Sequence, residues 1–321
     1  MLSYICLEKG EKMNVEKIKE CLPVSSVESF DNIVYGKVLG ASNHIKMIAT
    51  MFIEIAQQFP NDAEVRIEQV SKYFKETRGK SSYAIITALE LIELNIKNSS
   101  ATEYLKKVEE GVNDYFVDAE KNAELMIKYS DKLLENLKCI MIFDYSSSVE
   151  KAVVKALSKL KVYVPESRAI NGGYPFIEKI VNSGHEVYFI PDAAMLTVLK
   201  EVEMVFIGAE TFYPDGTAFN TVGSDILAEL CKIYHVPYYV ITPLLKADIR
   251  SIYGQYKEVI ASDLKHILTK NWPIDLTNKV NFHSIELVGV KPELITGFIT
   301  EKGILKPSDL FQLVNKEIEN V

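Results

Sequence analysis

The spacing of apolar residues changes character near residue 138. Upstream, from about Met13 to Leu137, it is helical almost throughout. Leu105, Val108, Val112, Phe116, Ala119, Ala123 and Met126 follow one another in steps of three and four, and Leu133 and Leu137 continue the stripe beyond Ser130. That pattern predicts one long helix, with Thr102 placed to cap its start. Further helices are predicted over residues 43–59, 62–77 and 82–97.

Downstream the period shortens. Apolar runs at 139–143, 162–165, 187–190, 204–207 and 236–241 alternate with segments of helical length at 149–160, 172–183, 193–200 and 223–235. Strand, helix, strand in repetition is the pattern of parallel βαβ units. The runs are continuous rather than alternating, which fits strands covered on both faces. The expected fold is therefore α/β, with a helical N-terminal domain (residues 1–137) followed by a Rossmann-like parallel-sheet domain (residues 138–321). No internal repeat or low-complexity stretch interrupts it.

Composition narrows the function classes. With 321 residues, 48% hydrophobic and 25% charged, the chain can build packed cores, which excludes a disordered tail, a fibrous repeat and a small disulfide scaffold. Thirty-six Lys+Arg against 44 Asp+Glu give a net charge of −8. An acidic chain argues against a sequence-blind grip on nucleic acid or anionic lipid, so no direct nucleic-acid binding is expected, although a local cationic pocket is compatible with it. No run of about 18 uncharged apolar residues predicts a membrane span. Cys6, Cys21, Cys139 and Cys231 form no C-x-x-C pair and are expected to be reduced thiols. The first ten residues lack the basic lead-in and apolar length of a signal peptide, and the expected location is cytoplasmic. Neither a G-x-x-x-x-G-K-[ST] loop nor a strand-linked G-x-G-x-x-G is present, there is no G-x-S-x-G elbow, and the five histidines lack metal spacing. Neither a cofactor nor a metal is expected.

In an open parallel sheet, ligands bind beyond the carboxyl ends of the strands. Those positions are polar here: Asp144-Tyr-Ser146-Ser147-Ser148 after the first run, Glu166-Ser167-Arg168 after the second, Asp192 after the third, Gly208-Ala209-Glu210 after the fourth, Thr242 and Lys246 after the fifth. Ser146 to Ser148 stand where a helix begins, so they either help to hold an anion on its free N–H groups or simply cap it. Arg168 and Lys246 add cations. A small phosphorylated ligand is the class of partner this favours. Asp144 and Glu210 either face each other, so that repulsion raises one pKa and makes an acid/base pair, or serve as caps and solvent-facing loop residues.

Several of these stretches resemble a known family. Ile190-Pro-Asp192, Gly208-Ala-Glu210, Asp215-Gly216, Asn220-Thr-Val-Gly223-Ser, Val236-Pro237 and Lys246, followed by Glu293-Leu-Ile-Thr-Gly-Phe-Ile-Thr-Glu301-Lys-Gly303, are similar to the alpha, beta and delta regulatory subunits of translation initiation factor 2B. Ribose-1,5-bisphosphate isomerase and methylthioribose-1-phosphate isomerase share that family's fold. The resemblance covers roughly residues 33 to 313, most specifically toward the C-terminus. It implies a helical domain joined to a Rossmann-like one, a dimer through the latter, and, in the isomerases, a site between the domains for aldose-to-ketose conversion of a sugar phosphorylated on its anomeric carbon. It carries Gly40, Arg78, Arg168, Asn220, Gly223 and Lys246 over as matches. The isomerases' cysteine after strand one is replaced by Asp144, their aspartate by Glu210, an arginine by Leu39 and a lysine by Thr221.

Three readings follow. The first is an initiation factor 2B subunit-like protein that binds a sugar phosphate or nucleotide between its domains through Gly40, Arg78, Ser146, Arg168, Asn220 and Lys246. The second is an isomerase of sugar 1-phosphates with Asp144 and Glu210 as acid and base. The third is a regulatory subunit of a translation initiation factor assembly.

Overall fold

The structure is a computed structural model and describes residues 15–38, 40–94, 96, 103–257, 261–269 and 272–319. Cys6, Leu39 and Thr102 lie outside the described residues. The chain forms two compact units, Met1–Glu120 and Lys121–Val321.

The first unit is helical among its described residues. Helices α1 (Val24–Val34), α2 (Ala41–Gln58), α3 (Ala63–Glu76), α4 (Arg78–Ser81) and α5 (Tyr83–Leu94) precede α6 (Tyr104–Leu134), within which the division between the units falls. Each long helix buries one stripe: Ile45, Ile48, Phe52 and Ile55 on α2 and Ile67, Val70 and Phe74 on α3 are at most 2% exposed. Phe30 of α1 closes this core against Tyr73 and Phe74, at ring separations of 5.4 and 5.5 Å.

The second unit is built on a seven-stranded sheet. Its described residues form strands β1 (Cys139–Phe143), β2 (Lys161–Pro165), β3 (Glu186–Ile190), β4 (Met204–Ile207), β5 (Thr211–Phe212), β6 (Ala218–Thr221), β7 (Tyr238–Ile241), β8 (Ala261–Asp263), β9 (His283–Ile285), β10 (Leu287–Val290), β11 (Gly297–Thr300) and β12 (Gly303–Leu305). The main sheet runs β12-β11-β7-β4-β1-β2-β3 and is parallel except for β12. Helices α7 (Ser147–Val154), α8 (Ile177–Asn182), α9 (Ser224–Tyr234) and α10 (Leu310–Glu319) accompany it.

Two layers cover the sheet, and the alternation along β1 shows how. Ile140 and Ile142 pack with Met126, Ala152, Val153 and Ile180 from α6, α7 and α8. Met141 and Phe143 pack with Leu227, Cys231, Leu310 and Val314 from α9 and α10. Every residue of β1 and β4 is buried, which is why their sequences are apolar without alternation. The same inference fails for 187–190. That run forms the edge strand β3, where Tyr188 and Phe189 are 39% and 50% exposed, because among the described residues no further strand pairs beyond it.

Other departures have local causes. The helix expected to 160 stops at Val154, and Leu157 is left 94% exposed. The segment 172–183 starts as a 3₁₀ turn at Tyr174, since Gly172 and Gly173 serve close approaches to Asp144 and the Pro165 carbonyl instead of opening a helix. Strand β7 begins at Tyr238, because His235 closes α9 in a left-handed conformation and Pro237 has no N–H for the ladder. A small antiparallel sheet, β10-β6-β5, has no counterpart in the predicted elements, although Pro214-Asp215-Gly216 is a turn signal between β5 and β6.

Candidate active site at the strand ends

Strand order reverses at β1: the chain goes to β2 and β3 on one side and to β4, β7 and β11 on the other. This is the switch point at which an open α/β sheet leaves a crevice. Phe143 pairs with Ile207, so β1 and β4 leave the sheet side by side, at Asp144 and Gly208. Their approach is so close that a Cβ on Gly208 would overlap Ser146 Cβ and Oγ.

Asp144 is 4% exposed and sits in the left-handed region at φ 59°. The Ser167 hydroxyl donates to its Oδ1 at 2.9 Å and the Thr221 hydroxyl to its Oδ2 at 2.8 Å. Burial pushes the Asp144 pKa up to about 6, against the lowering effect of those two hydroxyls and the Tyr145 N–H, and the charge of Glu210 adds to the rise. A Cβ on Gly172 would overlap Asp144 Oδ1, so only glycine lets the loop after β2 pass beneath the carboxyl.

Glu210 follows β4, and its N–H donates to the Phe219 carbonyl of β6 at 2.8 Å. Two lysines sense it. Burial lowers the pKa of Lys246, whose Nζ donates to the Ala209 carbonyl at 2.7 Å, while Glu210 favours its charged form. Burial also lowers Lys257 to about 8, opposed by Glu210, Asp248 and Glu286, and its amine stands 5.6 Å from the Phe219 ring centre. Asn220, on the strand between Phe219 and Thr221, is 6% exposed, and its Nδ2 has no hydrogen-bond partner. A buried amide donor left unpaired next to Asp144's hydroxyl ligand is costly unless something fills it.

The structure thus brings Asp144, Ser167 and Thr221 together, and Glu210 with Lys246 and Lys257. Ser146 caps α7, its Oγ accepting from the Val149 N–H at 3.4 Å. The Arg168 side chain is half exposed and turns toward Glu166 at 3.6 Å and the Ile267 carbonyl at 3.5 Å. Gly40 and Arg78 belong to the helical unit. Gly40 caps α2, the helix that carries His44, and Arg78 meets the His44 Nδ1 at 3.5 Å while its own Nε is buried without a partner. Sequence reasoning had not given site roles to Ser167, Thr221 or Lys257. The strand-end position of Ser167 was a signal; for Lys257, far along the chain from Glu210, there was none.

A helical N-terminal unit followed in the chain by a mostly parallel sheet of this order, with carboxylates and lysines gathered at its switch point, defines an α/β protein of the Rossmann-like class. Residues 38–307 match the Initiation factor 2 subunit family, and the chain belongs to that family. A methylthioribose-1-phosphate isomerase of Petrotoga mobilis is 24% identical over 260 residues, covering 75% of this chain and 74% of the relative. One from a Thermoanaerobacter species is 25% identical over 297 residues, covering 85% and 81%. Among solved structures, translation initiation factor eIF-2B from Pyrococcus horikoshii superposes with a TM-score of 0.75 at 20% identity, covering 89% of this chain and 98% of that one. The 5-methylthioribose 1-phosphate isomerase of the same organism gives 0.72 at 18% identity, covering 91% and 87%. These last two likenesses concern the fold. No helix among the described residues is long and apolar enough to cross a membrane.

Proposed function

We propose that this chain is an aldose–ketose isomerase acting on a sugar phosphorylated at its anomeric carbon, with Asp144 and Glu210 as its acid–base pair. The observation that carries the reading is the Asp144 carboxyl, buried at the switch point with its pKa near 6, so that protonated and ionised forms coexist close to neutrality. The names of the relatives support the same reaction class.

Isomerisation requires the sugar ring to open and one proton to move between neighbouring carbons. In this reading protonated Asp144 gives its proton to the ring oxygen as the C1–O bond breaks. Glu210 takes the C2 proton and returns it to C1, while the C2 hydroxyl gives its proton to the Asp144 carboxylate, leaving the carbonyl at C2 and Asp144 protonated again. Lys246, with Ser146 and Arg168 on the neighbouring loops, supplies cationic and hydroxyl partners for phosphate, and the orphaned Asn220 amide supplies a donor for a sugar oxygen. In the helical unit the reading assigns Gly40 and Arg78 to ligand binding.

A second reading, binding of a phosphorylated ligand without turnover, is favoured by one specific observation. Both Asp144 oxygens and the Lys246 amine already hold partners within the protein. Incubation with methylthioribose 1-phosphate or ribose 1,5-bisphosphate, followed by proton NMR, separates the two. Ketose formation that disappears in Glu210→Gln supports the isomerase. Calorimetric binding without ketose formation leaves the second reading, and absence of both overturns each for these substrates.

A further inference from the structure

Asp144 is joined to the ends of two neighbouring strands through side chains whose arrangement is directional. Asp192, just after β3, accepts the backbone N–H groups of Ser167 and Arg168, each at 2.8 Å, on its two oxygens. Those contacts hold the turn after β2, in which Ser167 has φ 48° and Asn171 φ 54°. The Gly172 N–H donates back to the Ser167 carbonyl at 3.2 Å and closes the turn. In that conformation the Ser167 hydroxyl, fully buried, reaches Asp144 Oδ1, while Thr221, 2% exposed at the end of β6, reaches Oδ2 from another direction. Each carboxyl oxygen thereby accepts one hydroxyl, and the Tyr145 N–H adds a backbone donor to the same carboxyl. Rotating the carboxyl plane would break both bonds together.

We propose that Ser167 and Thr221 are positioning residues that fix the plane of the Asp144 carboxyl, and that Asp192 acts through Ser167 by holding the left-handed turn that aims its hydroxyl. The proposal rests on Asp144 being the proton-transferring group of the reading above. The charged groups on the surrounding elements leave the task to the hydroxyls. Glu210, beyond β4, repels the Asp144 carboxylate. Glu150 on α7 is engaged by Lys179 at 2.6 Å, Arg168 points to Glu166 and Ile267, and Asp192 is occupied by backbone. Hydroxyl donation stabilises the carboxylate form, so deleting either donor should make Asp144 hold its proton more tightly.

The test is a carbon-13 NMR titration of aspartate carboxyls in the full-length protein, with the Asp144 signal identified by its loss in Asp144→Asn. Thr221→Val and Ser167→Ala should each raise the Asp144 midpoint by about one pH unit, roughly tenfold in proton affinity. Thr221→Ser should restore it, and Asp192→Asn should move it the same way by less. In any variant that turns over a sugar phosphate, the high-pH midpoint of kcat, above which Asp144 has lost the proton it donates, should shift upward in parallel. Unchanged midpoints in Thr221→Val and Ser167→Ala, both folded by circular dichroism, would overturn the proposal. So would a Thr221→Ser variant that behaves like Thr221→Val. The titration needs no substrate, so shifted midpoints in a protein without turnover uphold the positioning roles while the isomerase reading fails. Turnover with unshifted midpoints does the reverse.

Discussion

The centre of the main sheet and its β3 edge have similar apolar sequences and opposite surroundings. Strands β1 and β4 are sealed between two layers, and their ends carry Asp144, which is buried, and Glu210, which is partly buried. Strand β3 ends in an acidic residue as well, but its Tyr188 and Phe189 meet solvent, and Asp192 spends both oxygens on the backbone of the adjacent loop. A carboxyl at the sealed centre acquires a perturbed pKa; one at the edge becomes a brace for its neighbour. Position relative to the reversal of strand order separates chemistry from support.

The largest expected effect comes from forcing a side chain into the centre. Gly172→Ala should displace the Asp144 carboxyl, which is pinned from two sides, costing about 1–3 kcal/mol in chemical unfolding and lowering turnover at least ~100-fold. Undiminished turnover would show that the carboxyl is free to move.

Next is the pH dependence of stability. The folded Asp144 pKa is raised from 3.8 to about 6, so between these values the folded state binds more protons than the unfolded one. Stability should therefore fall as pH rises through that window, by about 3 kcal/mol. Asp144→Asn should remove the fall and leave the protein more stable than wild type at pH 8, while abolishing turnover. Denaturant melts of both proteins from pH 4 to pH 8 measure it, and parallel curves would contradict the buried-carboxyl assignment.

A smaller effect is expected on the β4 side. Lys246→Met keeps much of the side-chain volume but removes the amine, and should weaken phosphosugar binding about tenfold in calorimetry. At the edge, Phe189→Ser should change stability by no more than about 0.5 kcal/mol, since half of that ring is already in water. A loss of several kcal/mol there would mean that the edge is covered in solution and that the contrast with the centre is overstated.

Much of this architecture was legible in the chain. The runs 139–143 and 204–207 are strands β1 and β4 with those limits, and the helical stripe from Leu105 corresponds to Tyr104–Leu134. The strand-end rule points to Asp144 and Glu210 from the sequence alone. What escaped was pairing. A five-residue apolar run reads the same in the middle of a sheet as at its edge, so the exposure of Tyr188 and Phe189 was hidden. The β5–β6 hairpin is too short for periodicity to register, yet it carries Asn220 and Thr221 to the site.

The sequence by itself determined the periodicities, hence the helical first part, the βαβ second part and the polar strand ends, because each depends on residues a few positions apart. Only the tertiary structure decided that Thr221, 77 positions beyond Asp144, gives it a hydrogen bond, that Ser167 does so from a strained turn, and that Lys246 and Lys257 share Glu210. Those relations depend on strand order and burial, which set the local dielectric and so the charge state of every group at the switch point.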